Sequence, residues 1–423
     1  MPNINAYDTS NLDAYFKDVY APDMADLVPS TSRLQKDIKF VGNDQREGRA
    51  FVQAVRLTRP QGWVLDTSGG AYPLRPPVPS KGDDARVTGS SFLLRDVMSY
   101  DAAAKAEKGP RSFINGTSHM IEGMADMASF ILELQLLHGQ RNVGVLESRS
   151  DDSGTSQTFV FTSATFIAEL WGGFEDGTVE IYTSGGTNLT PSGARVTAVD
   201  LDNRAVTFLG VEAELDAVNT DLGNSPEVYL VSTYSAGMVG LLEQVSNSGT
   251  MFGISGSTYS MWRGNSYSTT GTLTFAKIIR AVDKTVVRGS AGAMRFYVSP
   301  ASWSDCMNDL AALRRYAEKA GGKLEQGADE LQFYGQNGSI VIVPHILMKP
   351  SEAFGIPVGG SKVKRVGASD ITYAMPGSNG EKFWEHLQDH AGVGARVYWH
   401  QAVFMNCPAQ GVLISGIQNT AAA

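Results

Sequence analysis

Two histidines have the spacing most suggestive of metal chemistry in this sequence. His386 and His390 stand four residues apart in HLQDH, which places both imidazoles on one face if residues 382–390 form a helix. A metalloprotease helix also needs a general-base glutamate and a third ligand, but here Asp389 is the only acid between the histidines and no third ligand follows at a usual spacing. The pattern favours polar residues on an amphipathic helix, so we expect neither a metal site nor a catalytic site.

A short basic cluster is the second candidate. Lys362, Lys364 and Arg365 fall within SKVKRVG, which is typical of a solvated loop. Two partners would suit such a patch: acidic groups of another subunit, or the phosphate backbone of DNA. The overlapping GIPVGGSK has P-loop glycine spacing at Gly355 and Gly360, but its lysine follows the serine instead of preceding it. The sequence therefore predicts no nucleotide site, no cofactor and no enzyme.

Composition places the chain among multidomain globular proteins. Its 423 residues are 42% hydrophobic, and the 45 glycines favour many turns and β structure. The net charge of −9 gives no global sign of a nucleic-acid binder. Cys306 and Cys407 are too few for a disulfide framework, and the longest apolar run, residues 339–348, is far shorter than the roughly 20 residues of a membrane span. We expect a soluble protein that is made in a reducing cytoplasm and has no membrane partner.

The stretch 59–84 is unusual for a loop inside a domain. It holds five prolines and four glycines, and strand-like segments flank it on both sides, which predicts a long hairpin with a stiff tip. A loop this long is usually functional or disordered. A disordered linker has little use for large apolar side chains, yet this one carries Trp63, Leu65, Tyr72, Leu74 and Val78. These five residues need an apolar surface to pack against outside their own segment.

The strongest helix pattern covers residues 118–138. Its apolar residues recur at steps of three and four, with Ser118 as a candidate N-cap and Gly139 as a candidate C-terminal glycine. The face that we expect to pack in the core consists of Met120, Met124, Met127, Ile131 and Leu134.

The remaining sequence mixes strands and helices without a regular βαβ rhythm. Short alternating strands without helical pattern fill about 146–235, including a hairpin with its turn at Asp202 and Asn203. Helices are predicted at 273–285, at 302–320 with Ser302 and Asp305 forming its start, and at 382–390, with strands between and after them. The predicted fold class is α+β.

The order of these elements resembles the major capsid proteins of tailed bacteriophages, which have the HK97-type fold. The segments that carry the resemblance are RFYVSPASWSDCMNDLAAL, LQFYGQNGSIVIVPHILMKPSEAFGI, GARVYWHQAVFMNCPAQGVLISGI and the loop GTMFGISGSTYSMWRGN. No single motif among them is decisive, and the resemblance rests on their order across nearly the whole chain.

The resemblance implies how the chain divides into parts. These are an N-terminal arm at 1–47, an extended loop (E-loop) at 48–100, a peripheral domain at 101–145 with the spine helix 118–138, a β-rich insertion or peripheral sheet at 146–235, an axial domain with connecting segments at 236–400, and closing strands at 401–423. Some family members link an E-loop lysine to a neighbour's asparagine with the help of an acid. Lys81 lies on the loop, but residues 396–402 offer neither asparagine nor acid, so no covalent link is expected.

The resemblance also implies the function. In a shell, Trp63, Leu65, Tyr72, Leu74 and Val78 of the E-loop would pack against the spine helix or peripheral sheet of an adjacent subunit. The chain would assemble into hexamers and pentamers of an icosahedral head in the host bacterial cytoplasm, and would enclose double-stranded DNA non-specifically as part of the virion capsid. Further partners would be the portal and, in some members, a scaffold, a maturation protease or decoration proteins. Two alternatives stay open at this point: the shell of an encapsulin-like nanocompartment, and a β-rich metal-dependent hydrolase that uses His386 and His390.

Overall fold

The computed structural model describes most of the chain. The described residues are 33–41, 50–67, 69–71, 73–99, 116–309, 331–336, 338–359, 362–373, 384–386 and 392–420. Helices and strands are numbered below in chain order. None of the helices within these ranges is long and apolar enough to cross a membrane.

The predicted hairpin is present, with a shorter returning arm than expected. Strands β2 (Phe51–Arg56) and β3 (Gly82–Val87) pair antiparallel over their whole length. Beyond them, Gln61 and Val78 form one isolated bridge, and the remaining described tip residues have no strand partner. The continuation β4 (Ser90–Ser99) leaves the hairpin and joins another sheet, because its ten residues pair with a strand near the C-terminus.

Two helices precede the β-rich part of the chain. Helix α1 (Arg33–Asp37) is short, and helix α2 (Gly116–Leu137) is the long helix that the sequence predicts, beginning two residues earlier and ending one residue sooner. Gly139 follows with a φ of +59°, which favours glycine. A Cβ there would also collide with the backbone of Met238 and Gly240. The predicted C-terminal glycine is confirmed.

A five-stranded sheet packs on α2. Its strands are β1 (Phe40–Val41), β18 (Val363–Thr372), β20 (Gly392–Met405), β19 (Trp384–His386) and β4, with β20 pairing to β18, β19 and β4. Met124 and Ala128 of α2 contact Ala395 and Val397 of β20 in one apolar cluster. Because β20 runs through the predicted division between residues 400 and 401, that division is wrong.

The predicted helix at 382–390 is also wrong where it is described. Residues 384–386 form β19 and pair with residues 393–395 of β20, and His390 lies outside the described residues. The aromatic residues of this segment suit a strand as well as a helix, and pairing with a distant strand decides between the two.

The region 146–235 contains a closed six-stranded barrel. Its strands are β5 (Gly144–Ser153), β6 (Ser156–Phe161), β7 (Thr178–Tyr182), β8 (Ala194–Asp200), β9 (Ala205–Leu209) and β10 (Glu227–Leu230), and β10 closes the barrel by pairing with both β5 and β7. Phe159, Phe161, Trp171 and Phe208 are fully buried and form ring contacts in this part of the core.

Two details of the barrel bear on the sequence predictions. The hairpin turn between β8 and β9 is confirmed, because the Asp200 carboxylate accepts hydrogen bonds from the backbone N–H groups of Asp202 and Asn203. The expected lack of helices is wrong: α3 (Ala168–Trp171), α4 (Glu212–Asp221) and a 3₁₀ turn (Leu222–Asn224) connect the strands. Helix α4 buries only Leu215 and Val218, so its apolar periodicity is weak.

A six-stranded mixed sheet forms the C-terminal part. In spatial order its strands are β13 (Ser266–Ser268), β21 (Val412–Ser415), β17 (Glu352–Pro357), β14 (Met294–Val298), β16 (Gly338–Pro344) and β15 (Leu331–Gly335). Helices α7 (Phe275–Val286) and α8 (Pro300–Asn308) share one apolar cluster with one face of the sheet. Shorter elements before it are α5 (Thr233–Ala236), α6 (Leu241–Ser246), β11 (Thr250–Met251) and β12 (Ile254–Ser255). A 3₁₀ turn (Pro408–Gln410) precedes β21.

The start of α8 differs from the prediction. Ser299, not Ser302, is its N-cap, and the Ser299 hydroxyl accepts a hydrogen bond from the Ser302 backbone N–H at 3.2 Å. Pro300 occupies the first turn, where its missing N–H costs nothing. The helix ends at Asn308, because Asp309 is extended, so the predicted unbroken helix to residue 320 is wrong at this point; residues 310–320 lie outside the described residues.

Candidate inter-subunit surface

The hairpin tip exposes large apolar side chains. Trp63 is 71% exposed, Leu65 84% and Leu74 88%, and Val78 is also exposed. Tyr72, the fifth residue predicted for this surface, lies outside the described residues. Exposed apolar groups concentrated on one projecting segment are typical of a surface that another molecule covers. We call Trp63, Leu65, Leu74 and Val78 the tip cluster.

The base of the same hairpin is firmly packed. Phe51 and Val87 lie in an apolar cluster with Met251, Trp262 and Phe404. The Arg86 backbone N–H donates to the Phe252 carbonyl at 3.0 Å. The tip cluster therefore projects from an anchored support, and its exposure does not arise from a detached hairpin.

An apolar cleft of about 330 Å³ lies where α2, β4 and the barrel meet. Its lining residues include Phe92, Met127, Ile131, Phe174 and Val231, with Trp399 at its base. Phe92 stacks on Trp399 with ring centroids 5.3 Å apart, which fixes one wall. No charged residue lines the cleft, so it suits apolar side chains.

The predicted packing face of α2 is therefore divided between core and cleft. Met124 and Leu134 are buried as expected, and Met120 and Ile131 are half-buried. Met127 is 37% exposed and lies at the cleft, so its assignment to the core is wrong. Met124 packs against β20 of the five-stranded sheet, whereas Met127, three residues further along the helix, lines the cleft.

The basic cluster is not a solvated loop, and that prediction is wrong for two of its three residues. Lys364 and Arg365 lie in β18 and are buried. The Lys364 ammonium lies 4.6 Å from the centre of the Phe51 ring and donates to the Gln53 side chain at 3.1 Å. Burial lowers the pKa of Lys364. Lys364 therefore connects the base of the hairpin to the five-stranded sheet. Of the three residues of the basic cluster, only Lys362 lies outside a strand.

Arg365 fixes the N-terminal segment in a similar way. Its side chain donates to the Ile38 carbonyl at 3.0 Å, to Gln401 at 3.1 Å and to Asp370 at 3.2 Å. Its backbone N–H donates to the Lys39 carbonyl at 3.0 Å. A guanidinium with several donors in one plane suits such a junction. Arg365 therefore holds residues 38–39 against β18.

A buried glutamate holds α1 on α2. Glu133 is fully buried and accepts hydrogen bonds from the backbone N–H groups of Leu34 at 2.5 Å and Gln35 at 3.1 Å, with His345 Nε2 2.9 Å from the same carboxylate. At the other end of α1, Asp37 pairs with Arg295 and accepts from the Tyr297 hydroxyl at 2.7 Å. Sequence reasoning missed this network; its only signal is an acid among the apolar residues of the α2 pattern.

The loop between β16 and β17 carries further polar contacts to the end of α2. His138 Nε2 lies 2.9 Å from the Leu347 carbonyl, Lys349 donates to Asn142 at 2.6 Å, and Arg141 forms two hydrogen bonds with Glu352. Burial lowers the pKa of Lys349 to about 8. Burial, and then the charge of Lys349, hold the pKa of His138 well below its usual value. This junction therefore keeps His138 neutral at pH 7.

His138 should make the folded protein sensitive to mild acid. Its pKa is lower in the folded than in the unfolded chain, so below about pH 6.5 the unfolded chain binds the additional proton and gains stability. We expect the free energy of unfolding to fall by about 1.4 kcal/mol per pH unit from this residue alone. The charges that oppose protonation are Lys349, Arg141 and His345.

The measurement is urea unfolding at a series of pH values between neutral and mildly acidic, for the wild type and His138→Gln. The variant should lose part of the acid dependence, while Lys349 titrates above this range in both proteins. Equal slopes in the two proteins would contradict the assignment.

Among the described residues, the candidate metal-binding and thiol groups lack the surroundings that their chemistry would need. No group of three or more histidine, cysteine, aspartate or glutamate side chains among them could hold a metal ion. Burial raises the pKa of the Cys306 thiol to about 12, which makes it a poor nucleophile. The helical face proposed for His386 and His390 does not exist at His386, which lies in a strand. The surfaces that remain are apolar or charged and suit contact with macromolecules.

The fold is that of phage capsid proteins. The chain is similar to a capsid chain of cyanophage A-1(L), with a TM-score of 0.55 and 11% identity over 96% of this chain and 98% of that chain. It is also similar to a capsid chain of the native GTA particle, with a TM-score of 0.51 and 9% identity over 98% and 100% of the two chains. No protein-family model matches the sequence, and no curated protein matches it.

A chain of an encapsulin complex is also among the similar structures. An encapsulin from Synechococcus elongatus gives a TM-score of 0.43 and 8% identity over 99% of this chain and 100% of that chain. The two capsid chains above are matched over nearly the whole length on both sides, so the likeness extends across the chain and is not confined to one part of it.

Proposed function

We propose that this chain is a structural shell subunit of a tailed-phage head, located in the virion capsid, and not an enzyme. The observation that carries the proposal is a capsid fold extending over 96% of the chain. The anchored hairpin with its exposed tip cluster supports it, because a shell subunit needs broad contacts with copies of itself.

The described elements suggest how the parts of a capsid subunit are distributed. The hairpin of β2 and β3 is the E-loop, α2 is the spine helix, and the six-stranded sheet with α7 and α8 is the axial domain. The five-stranded sheet belongs with the spine helix in the peripheral domain, because β20 and α2 share an apolar cluster. This moves 363–400 out of the axial domain, and 401–405 out of the closing strands, that were assigned from sequence. The barrel is the β-rich insertion.

The tip cluster packs on a neighbouring subunit in this proposal. Trp63, Leu65 and Leu74 supply apolar anchors, and aromatic anchors usually dominate the energy of such contacts. The uncharged cleft beside Met127 and Ile131 is the matching surface on the neighbour's spine helix and peripheral sheet. Prolines around the tip reduce the conformational entropy that docking would cost.

The contact is non-covalent in this proposal. Lys81 lies at the root of the tip, where its backbone N–H donates to the Thr58 hydroxyl at 2.7 Å and its carbonyl accepts from Leu57. The strand that would face it in a neighbour contains neither asparagine nor acid between residues 396 and 402. Burial and hydrogen bonding would therefore hold the shell together.

Assembly would take place in the bacterial cytoplasm and produce hexamers and pentamers around double-stranded DNA, with a portal at one vertex and, depending on the phage, a scaffold, a protease or decoration proteins.

The shell function is tested by the size of the particles that the purified protein forms. Purified protein should elute as megadalton particles or a series of large oligomers, and negative-stain images should show closed shells. A monodisperse monomer or small oligomer that does not change with concentration would contradict it.

A further inference from the structure

One helix carries a row of positive charge on its outer face. In α7 the apolar residues Phe275, Ile278 and Val282 face the six-stranded sheet. Lys277, Arg280 and Lys284 follow one another at steps of three and four residues, with Arg288 four residues further on. Such spacing places Lys277, Arg280 and Lys284 along one side of α7, and Arg288 follows in the turn after the helix. We call Lys277, Arg280, Lys284 and Arg288 the cationic row.

The side chains of the cationic row differ from six other arginines of the protein in their hydrogen-bonding and ion-pair partners. Six arginines outside it pair with carboxylates: Arg141 with Glu352, Arg149 with Asp216, Arg195 with Asp176, Arg204 with Glu147, Arg295 with Asp37 and Arg365 with Asp370. Within the described part of the chain, no member of the row has a carboxylate within ion-pair distance. No ion pair among these residues therefore neutralises their charge.

Backbone carbonyls orient three of the four side chains. Lys277 donates to the carbonyls of Thr270 and Thr272, and Lys284 donates to that of Ser266 at 2.8 Å. Arg288 donates to the carbonyls of Arg263 and Gly264 at 2.7 and 3.1 Å. These contacts hold the cations in place without removing their charge. Arg280 is exposed.

The positive surface continues past the end of α7. Arg288 contacts the backbone of Arg263, and the Lys362 ammonium donates to the Ala291 carbonyl at 3.0 Å, three residues beyond Arg288. Lys362 is thus the one member of the predicted basic cluster that belongs to this surface. Of the acids among the described residues, Asp283 lies on α7 itself, and the Asp309 carboxylate accepts from the Phe275 backbone N–H at 2.9 Å at the opposite end of the helix.

We infer that the cationic row is a DNA-facing surface that contacts the phosphate backbone without reading sequence. This inference rests on the proposed shell function, since it names the side of the subunit that meets the packaged genome. It is a local surface in a chain of net charge −9, so the composition of the whole sequence does not reveal it.

The geometry favours a phosphate backbone over an acidic protein segment. A helix rises about 1.5 Å per residue, so successive cations of the row lie about 4.5–6 Å apart along its axis. Each DNA strand offers one phosphate per about 3.4 Å of axis, so every cation has a phosphate within reach. The cleft with an apolar lining, which would add contacts to the side chains of a peptide, lies elsewhere, against the barrel and α2.

The experiment measures binding of a random-sequence DNA duplex to the purified full chain over a range of salt concentrations. The test variant is Arg280→Gln with Lys284→Gln, and the control is Arg195→Gln with Arg204→Gln on the barrel, which removes the same charge. Each lost phosphate contact lowers the slope of log K against log salt by about 0.9, so the test variant should lose about 1.8. We expect its affinity at low salt to fall about tenfold.

A charge-preserving variant, Arg280→Lys with Lys284→Arg, should keep the wild-type salt slope. Unchanged binding by the test variant, or equal losses in the test variant and the barrel control, would overturn the inference. Binding of polyglutamate but not of DNA to the row would also overturn it and would assign the row to an acidic protein.

Negative-stain imaging of the same samples separates the two proposals. If the protein forms closed shells but the test variant keeps the wild-type salt slope, the DNA-facing surface is overturned and the shell function stands. Absence of shells together with loss of DNA binding in the test variant would overturn the shell function and leave the cationic row as a polyanion site. Matching thermal unfolding midpoints would show that the variants are folded.

Discussion

Replacing residues 62–77 with an Asn-Gly turn should abolish closed shells and leave the subunit folded. Gln61 and Val78 exchange two backbone hydrogen bonds of 2.8 and 2.9 Å, the geometry that a two-residue hairpin turn closes. The β2–β3 ladder and the buried residues Phe51 and Val87 stay in place. The deletion removes three members of the tip cluster, so the subunit loses its proposed anchors but none of its described core.

The measurement is particle assembly by light scattering and negative-stain imaging, with the thermal unfolding midpoint as a check on folding. A finer variant replaces Trp63, Leu65 and Leu74 with serine and should also prevent closure. Its matched control is Leu201→Ser with Val211→Ser, which changes exposed apolar residues of the barrel. Normal shells from the shortened hairpin would show that the tip does not join subunits.

Glu133→Ala should release the N-terminal segment and strongly destabilise the subunit. The substitution leaves the backbone N–H groups of Leu34 and Gln35 and the His345 ring without their buried acceptor. Each unsatisfied buried group costs about 1–3 kcal/mol, and removing one member of a buried polar pair costs about 3–5 kcal/mol. We expect a loss of about 3–5 kcal/mol in the free energy of unfolding.

Limited trypsin digestion gives a second readout for Glu133→Ala. Lys36 and Lys39 lie in the segment that Glu133 and Arg365 hold, and release should make both sites cleavable well before the core is digested. The control is Glu122→Ala, an exposed acid on the same helix, which should change neither stability nor digestion. Protection of Lys36 and Lys39 in Glu133→Ala would contradict the proposed role.

The sequence predicts well those elements whose signals are local. Helix α2, the β2–β3 hairpin, helix α7 and the β8–β9 turn each depend on residues close together in the chain, and the structure has all four. Predictions fail where pairing with a strand that is distant in sequence determines the local structure. Strand β4 pairs with β20 about three hundred residues later, and β20 also turns the segment at 384–386 into a strand.

The same difference between local and distant contacts explains which features of the candidate surfaces could be predicted from the sequence. Exposure of Trp63, Leu65 and Leu74 follows from proline and glycine in their own segment. The burial of Lys364 and Arg365 depends on the partners Gln53 and Ile38, which are 311 and 327 residues away in the chain. No local sequence pattern contains them. The cleft beside Met127 likewise forms from α2, β4 and the barrel together, so helical periodicity alone assigns Met127 to the core.

The most direct test of the shell proposal is a cryo-electron microscopy reconstruction of the particles that the purified protein forms. We expect an icosahedral shell in which the hairpin of each subunit extends over its neighbour and Trp63 is buried against the neighbour's α2 and β4. The result that would contradict the proposal is a protein that forms no closed particles at any concentration, or a shell in which the tip cluster faces solvent in every subunit.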